Sequence, residues 1–276
     1  MQSTTSNTKH NHIRSHLPLP SNTNTTSTAE TKIDTLYHET LGTGPPLLLI
    51  PGAHSTGLIY TNLAQQLSRY FRVTLYDLRG FARSFSSSSV RTTLQTHIDD
   101  AKTLIHHITA SPTPDPKKPN KKRYRSIHIF SSSSSASIAL SLLKNPDIHI
   151  KNLILHEPVL PTLLPRPYLT HIQTQLQLHV FSPARPCMAE INRHLVSMTQ
   201  TREGWEDFKR TDAYKAIERF PGDYSLGFFG DVLPDVLEWE VDVGMVREWM
   251  GGEGHGGGGK LALGCTGAGY DSLLDS

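Results

Sequence analysis

The sequence predicts an α/β protein with a doubly wound, mostly parallel sheet and a helical cap. Short apolar runs such as residues 47–50 and 71–76 are typical of strands that are buried on both faces. Segments with apolar residues at helical spacing follow these runs, and strand and helix alternate as far as about residue 160. Because right-handed crossovers join parallel strands, this alternation favours a parallel sheet covered by helices.

The composition is that of a globular chain without a strong charge bias. The 276 residues suffice for a large core, and 27 basic against 25 acidic residues leave a net charge of +2. This balance gives no electrostatic argument for binding nucleic acid. Two cysteines, Cys187 and Cys265, do not make a disulfide framework, so we expect a reducing, cytoplasmic setting. No apolar run approaches the roughly 20 residues of a membrane span, so we expect a soluble protein without a membrane partner.

Five segments differ in pattern along the chain. Residues 1–31 are rich in Ser, Thr and Asn, and we expect them to be disordered because they offer little apolar surface to bury. Residues 32–160 form the predicted core, beginning with an antiparallel strand. Residues 161–250 carry helical patterns without strands, which predicts a cap over the carboxyl ends of the strands. Residues 251–260 read as a Gly-rich linker, and residues 261–276 as a terminal core strand with its loop.

A run of serines follows the strand predicted over residues 127–130. Apolar residues at helical spacing then begin at Ala136, so the pattern is a strand, a sharp turn and a helix. Such a turn can hold a serine hydroxyl clear of the backbone, as in a nucleophile elbow. The usual elbow reads G-x-S-x-G, whereas both glycine positions would be serine here. A serine-rich loop without chemistry is therefore the alternative interpretation.

Motifs in order along the chain make it similar to α/β-hydrolases, and within that fold it resembles fungal members. The motifs are Pro51-Gly52-Ala53-His54, the loop from Tyr76 to Ser84, the run from Ser131 to Ala136, and His156-Glu157-Pro158. The resemblance implies a hydrolase fold with a cap, and it sets the register of the serine run. Ser133 takes the nucleophile position, while Ser131 and Ser135 replace the glycines.

The resemblance also implies an oxyanion hole of two backbone N–H groups. One would come from Ser134 and the other from Ala53 or His54. His54 is equally well explained as an ordinary loop histidine. For Asp77, Arg79 and Ser84 the expected role is a hydrogen-bonded scaffold beside the site.

A general base is the missing part of this pattern. The family order is serine, then an acid, then a histidine. Asp271 lies where the family places its acid, but no histidine follows it in the sequence. One interpretation is a shortened hydrolase, lacking the last strand and helix, in which Ser133 is inert. In the other interpretation, Glu157 is the acid and His255 is the base, an arrangement that obeys the family order.

The other histidines are predicted to have structural roles. We expect His156, at the end of its strand, to support the site rather than act as the base. His97, His106 and His107 fall on a predicted helix and are expected on its solvated face. No cluster shows metal-ligand spacing, so we expect neither a metal nor a cofactor.

The predicted activity is hydrolysis or transfer of an acyl group through an acyl-Ser133 intermediate. The substrate would be a small, largely apolar ester, lactone or thioester, and the fungal resemblance suggests a setting in secondary metabolism. An epoxide or haloalkane hydrolase is disfavoured because the serine run contains no aspartate. The alternative is a catalytically inactive hydrolase-fold protein that binds a ligand or partner. The sequence does not determine the oligomeric state.

Overall fold

A computed structural model describes residues 12–19, 34–52, 55–84, 86, 92–110, 124–171, 174, 202–211, 214–215, 232–251 and 259–264. The strands are β1 (His12–Pro18), β2 (Thr35–Leu41), β3 (Pro46–Ile50), β4 (Arg72–Tyr76), β5 (Ser126–Ser132), β6 (His149–His156) and β7 (Lys260–Gly264). The helices are α1 (Thr61–Leu67), α2 (Leu94–Ala110), α3 (Ala136–Leu142), α4 (Arg202–Arg210), α5 (Leu233–Glu238) and α6 (Val243–Gly251). Within the described ranges, no helix is both long enough and apolar enough to cross a bilayer.

The seven strands form one sheet in the order β1-β2-β4-β3-β5-β6-β7. The pairs from β4 to β7 are parallel, whereas β2 runs antiparallel to both β1 and β4. The predicted α/β class, the mostly parallel sheet and the antiparallel strand near residue 35 are therefore confirmed. Because the carboxyl ends of parallel strands meet at one edge, the loops after β3, β4, β5 and β6 all emerge together.

Strand β1 corrects the prediction that the whole segment 1–31 is disordered. Residues His12 to Pro18 pair with β2 along their full length, and Leu19, which follows the strand, is 4% exposed. On the facing strand, Glu39 accepts a hydrogen bond from His12 at 2.7 Å and another from Arg14 at 3.3 Å. The segment has few apolar residues of its own, but the backbone ladder and these side-chain hydrogen bonds stabilise the strand.

Helices cover both faces of the central sheet. On one face α2 and α3 pack over apolar side chains that include Leu48, Ile129 and Leu153. On the other face α1 packs over Leu49 and Val73. The sheet is therefore buried on both sides at its centre, as the continuous apolar runs predict.

The predicted cap extends too far along the chain. Residues 161–163, 166–171 and α4 are helical, as expected. However, Val236 and Leu237 of α5 and Val246 of α6 belong to the main apolar core. Trp249 of α6 also donates its indole N–H to the carbonyl of Ile150 in β6, at 3.2 Å. A parallel connection between β6 and β7 requires a crossover that packs on the sheet, and α5 and α6 provide it.

Helix α2 carries a second difference from the sequence prediction. His106 and His107 are exposed, as expected, but His97 is fully buried. His97 lies three residues after Leu94 and four before Ala101, on the apolar stripe of the helix. Its position follows the helical period rather than the polarity of its side chain.

Candidate active site

The turn between β5 and α3 has the geometry of a nucleophile elbow. Strand β5 ends at Ser132, a single 3-10 turn spans Ser133–Ser135, and α3 begins at the next residue. Ser133 has a φ of 56°, a left-handed conformation that few non-glycine residues adopt. Ser133 is half-buried, whereas Ser134 and Ser135 are buried. Among the serines of the run, Ser133 is thus the one at the apex of the strand-to-helix reversal.

The serines that replace glycine are accommodated in different ways. The hydroxyl of Ser135 donates to the carbonyl of Pro51, at the end of β3. Ser131 is fully buried on the core face, and its Oγ has no hydrogen-bond partner among the described residues. The Oγ of Ser134 is likewise buried and unpartnered within that part of the chain, although its carbonyl accepts from Ser137 Oγ at 2.9 Å.

Gly52 packs directly against the elbow. A Cβ at this position would lie 3.0 Å from the carbonyl oxygen of Ser132 and 3.1 Å from the Cβ of Ser133. The carbonyl of Gly52 accepts from the N–H of Ser55 at 2.8 Å, and Ser55 has a φ of 58°. Ala53 and His54, the predicted second source of an oxyanion donor, lie outside the described residues.

Tyr60 is a residue of the site that the sequence did not single out. Its hydroxyl lies 2.5 Å from Ser132 Oγ and 3.2 Å from the carbonyl oxygen of Ile50. Burial raises the pKa of Tyr60 to about 12, so the phenol is neutral at physiological pH. Tyr60 precedes Ser132 by 72 residues, and nothing in the sequence pattern around it pointed to the elbow.

Asp77 organises the loop after β4, as the scaffold prediction expected. Its carboxylate accepts from Thr56 Oγ1 at 2.7 Å and from the N–H of Gly57 at 2.9 Å. Arg83 donates to both carboxylate oxygens, from Nε at 2.6 Å and from Nη2 at 2.9 Å. Ser84 Oγ donates to the carbonyl of Asp77 at 2.6 Å. The loop after β4 is thereby tied to the residues that follow the β3 turn.

Arg79 makes a separate buried ion network. Its guanidinium donates to both oxygens of Asp100, at 2.5 and 2.9 Å, and to Asp34 at 3.0 Å. The scaffold prediction for Arg79 is therefore confirmed. The sequence analysis did not predict that Asp34 and Asp100 pair with Arg79. The position of Asp100, three residues after His97 on the apolar face of α2, could have indicated that its side chain is buried.

The loop after β6 touches the elbow. Ser132, His156 and Gly264 are aligned across β5, β6 and β7. Glu157 has a φ of 45°, and its N–H donates to the carbonyl of Gly264 at 2.6 Å. Two residues later, the N–H of Val159 donates to the carbonyl of Ser133 at 3.0 Å. Glu157, the alternative acid, is thus placed on the edge of the sheet that carries Ser133.

His156 faces the side of the sheet that holds Phe130. The two rings are stacked, with centroids 6.2 Å apart and planes inclined by 27°. Phe130 in turn meets the ring of Tyr60 edge-on at 5.6 Å. These three rings form a row beneath the elbow.

The other predicted catalytic residues, Asp271 and His255, lie outside the described residues. The strand between them is described, however. Gly264, at its carboxyl end, pairs with His156 beside the elbow, whereas Lys260 pairs with Asn152 toward the opposite edge. Within the described ranges, no group of three or more His, Cys, Asp or Glu side chains is placed to hold a metal ion.

Both the sheet order and the elbow are those of an α/β-hydrolase. A family model described as "Alpha/beta hydrolase family" matches residues 47–262, and the chain belongs to this family. A curated relative, the uncharacterized hydrolase YraK of Bacillus subtilis (strain 168), is 31% identical over 132 residues. That match covers 47% of this chain and 43% of the relative, so it spans less than half of either protein.

Similar solved structures support the fold. A thermophilic esterase from Thermogutta terrifontis superposes with a TM-score of 0.58 at 18% identity, over 84% of this chain and 75% of the esterase. The enol-lactonase from Burkholderia xenovorans LB400 gives a TM-score of 0.52 at 13% identity, over 79% of this chain and 74% of the lactonase.

Proposed function

We propose that this chain is a serine hydrolase in which Ser133 attacks the carbonyl of an acyl substrate. The observation that carries the proposal is the left-handed φ of 56° at Ser133, directly between a parallel strand and a helix. Backbone strain of this kind is retained where the surroundings impose it, and it concentrates at active sites. A strained serine at the apex of this turn has its hydroxyl presented above the sheet.

The proposed reaction proceeds through an acyl-enzyme. Ser133 Oγ forms a bond to the acyl carbon while its proton passes to a base, and the alcohol or thiol of the substrate leaves. The negative charge on the carbonyl oxygen is stabilised by the N–H of Ser134 and by an N–H of Ala53 or His54. Water then attacks the acyl group and releases Ser133.

The order serine, acid, histidine is met by Ser133, Glu157 and His255, so we propose His255 as the base and Glu157 as the acid that orients it. Asp271, which lies where the family places its acid, is the alternative acid, although it follows His255 in the sequence. Two facts bear on the choice of acid. Glu157 follows β6 at the edge that carries Ser133, and Gly264, seven residues before Asp271, ends β7 at that same edge. His156 is the described histidine aligned with Ser132, and we propose a supporting role for it.

The proposed substrates are small, largely apolar esters, lactones or thioesters. The support comes from the family and from the two solved structures with the same fold, one named as an esterase and one as an enol-lactonase. The fold by itself does not specify the acyl group, because specificity resides in the residues above the site.

Labelling with a fluorophosphonate probe tests the nucleophile. We expect the folded wild-type protein to be labelled, Ser133→Ala to lose the label, and Ser134→Ala to keep it because the Ser134 backbone donor survives the substitution. Labelling that persists in Ser133→Ala would assign the reaction to another serine. Absence of labelling in the folded wild type would favour a catalytically inactive hydrolase-fold protein.

The same assay identifies the base and the acid. We expect His255→Ala to lose labelling and His156→Ala to keep most of it, since the first substitution removes the proton acceptor. Comparing Asp271→Asn with Glu157→Gln then shows which acid supports the base. Loss of labelling in His156→Ala, with His255→Ala unaffected, would exchange the two histidine roles.

A further inference from the structure

We propose that Ser135 is a positioning residue whose hydroxyl clamps the nucleophile elbow to the turn after β3. This inference rests on the proposed function, because the clamp matters for catalysis through the oxyanion hole. It assigns a role to a serine that stands where the G-x-S-x-G pattern has its second glycine.

The clamp is a single buried hydrogen bond between distant parts of the chain. Ser135 Oγ donates to the carbonyl oxygen of Pro51, 84 residues earlier. Ser135 is 1% exposed, so water does not compete for the bond. A glycine at position 135 would leave the buried carbonyl of Pro51 without this donor.

Two further contacts join the same segments on the other side of Ser133. The hydroxyl of Tyr60 lies between Ser132 Oγ and the carbonyl of Ile50, the residue before Pro51. Gly52, the residue after Pro51, packs against Ser132 and Ser133 closely enough that an added Cβ would approach both within 3.1 Å. The elbow is therefore tied to the β3 turn both before and after the nucleophile.

The clamp joins two residues that are close in sequence to the two proposed oxyanion donors. One donor is the N–H of Ser134, the residue immediately before Ser135. The other comes from Ala53 or His54, two or three residues after Pro51. A hydrogen bond from Ser135 to Pro51 therefore ties the residue after the first donor to the strand end that leads to the second. Donors must be aimed at the position of the oxyanion in the transition state.

Loss of the clamp should affect the transition state more than substrate binding. The oxyanion hole stabilises the ground-state carbonyl only weakly, so KM should change little. The value of kcat falls when the donors are misplaced, because they stabilise the transition state. Small misplacements of catalytic groups cost up to about a hundredfold in rate. Because the Ser135 bond is one of three contacts between these segments, we expect its loss to lower kcat by about tenfold.

The test compares Ser135→Ala and Ser135→Gly with Ser141→Ala. Ser135→Gly restores the glycine of the usual motif without the hydroxyl. Ser141 is a control because it is also a buried serine, on α3, but lies beyond the elbow. The measurements are kcat and KM with p-nitrophenyl butyrate, and amide hydrogen exchange in peptides covering residues 50–57 and 130–137.

We expect both Ser135 variants to lower kcat about tenfold at unchanged KM and to accelerate exchange in both peptides, while Ser141→Ala does neither. Unchanged kcat and unchanged exchange would overturn the clamp. Absence of esterase activity in the wild type would refute the proposed function but would not test the clamp. Exchange then decides the clamp: faster exchange in both peptides supports it, and unchanged exchange refutes it.

Should Ser135→Ala fail to fold, Tyr60→Phe gives an independent measurement. It removes the hydroxyl that joins Ile50 to Ser132 and leaves the ring in place. We expect it to lower kcat without changing KM and to accelerate exchange in the same two peptides. Wild-type values in a folded Tyr60→Phe protein would overturn the idea that these ties position the elbow.

Discussion

Arg83 contacts both carboxylate oxygens of Asp77, with Nε 2.6 Å from Oδ2 and Nη2 2.9 Å from Oδ1. Asp77 is fully buried and has a second set of donors, Thr56 Oγ1 and the N–H of Gly57, on the chain that follows the β3 turn. The ion pair therefore links the loop after β4 to the segment that leads away from the proposed oxyanion hole. The ion pair is structural, and it fixes the position of the segment next to the proposed active site.

Replacing Asp77 by asparagine should destabilise the fold. The substitution leaves Glu39 to neutralise the largely buried Arg83 guanidinium, which otherwise pairs with both Asp77 and Glu39. Breaking a buried pair costs about 3 kcal/mol. Urea unfolding monitored by fluorescence measures the loss. Asp207→Asn is the matched control, because the Arg210–Asp207 pair is exposed and should contribute less than about 0.5 kcal/mol. Equal effects of the two substitutions would contradict the structural role of Asp77.

Substituting Gly52 by alanine should slow the reaction of Ser133 with a fluorophosphonate. The new methyl group would press on the Ser132 carbonyl and the Ser133 side chain, so the elbow must shift by a few tenths of an ångström. We expect labelling to slow by about tenfold, because the reacting groups are displaced. Gly251→Ala is the control, since a Cβ there meets no heavy atom within 4 Å. Labelling of Gly52→Ala at the wild-type rate would show that the elbow tolerates the displacement.

Because β1 pairs with β2, Leu19, which follows β1, is expected to contribute to stability. This side chain is buried in the main core although it comes from a segment whose composition suggests disorder. We expect Leu19→Ala to lower the free energy of unfolding by about 2–3 kcal/mol, the usual cost of truncating a buried leucine. Ile13→Ala, in β1 itself but 50% exposed, should cost less than about 1 kcal/mol. If the two substitutions have the same effect, the strand is not packed as described.

Buried histidines predict a loss of stability at mildly acidic pH. Burial lowers the pKa of His97 to about 3, with Arg79 adding to the effect, and burial together with His107 and His16 lowers the pKa of His38 to about 4. The unfolded chain therefore binds protons below pH 6.5 that the folded chain does not, so stability falls as the pH decreases from 6.5 toward 4.

His97→Leu measures this contribution. It should reduce the slope of unfolding free energy against pH by up to about 1.4 kcal/mol per pH unit in that window. His106→Leu, on the exposed face of the same helix, serves as the control. A wild-type slope in His97→Leu, determined from urea unfolding at several pH values between 5 and 7, would contradict the burial of a neutral imidazole.

Patterns within short segments were sufficient to predict much of the fold. The strands at Leu48 and Leu75 follow from continuous apolar runs, and helix α2 follows from its spacing, because both signals are local. The register of the serine run came from the resemblance, and the left-handed φ of Ser133 agrees with it. Asp77 and Arg79 were likewise expected to be scaffold residues, and their hydrogen bonds confirm this.

Contacts between distant residues were the part that sequence could not predict. Tyr60 and Ser132 are 72 positions apart, and Asp34 and Arg79 are 45 apart. A hydrogen bond between such residues depends on how the sheet brings the strands together, and the local spacing of apolar residues does not predict it. Strand β1 was missed for a related reason, since its stability comes from pairing with β2 rather than from its own composition. The burial of His97, in contrast, was readable from its position on the apolar stripe of α2.

The non-glycine residues with positive φ in the described part of the chain are Ser55, Ala82, Ser133 and Glu157. Each lies on the loop that leaves the carboxyl end of one of the strands β3 to β6. Left-handed non-glycine residues are therefore concentrated on one rim of the molecule, and within the same ranges the opposite rim has none. An engineer who wishes to raise the melting temperature should redesign the opposite rim first, because the rim with the left-handed residues carries the proposed active site. Relieving the backbone strain at the left-handed residues would raise thermal stability but lower the proposed activity.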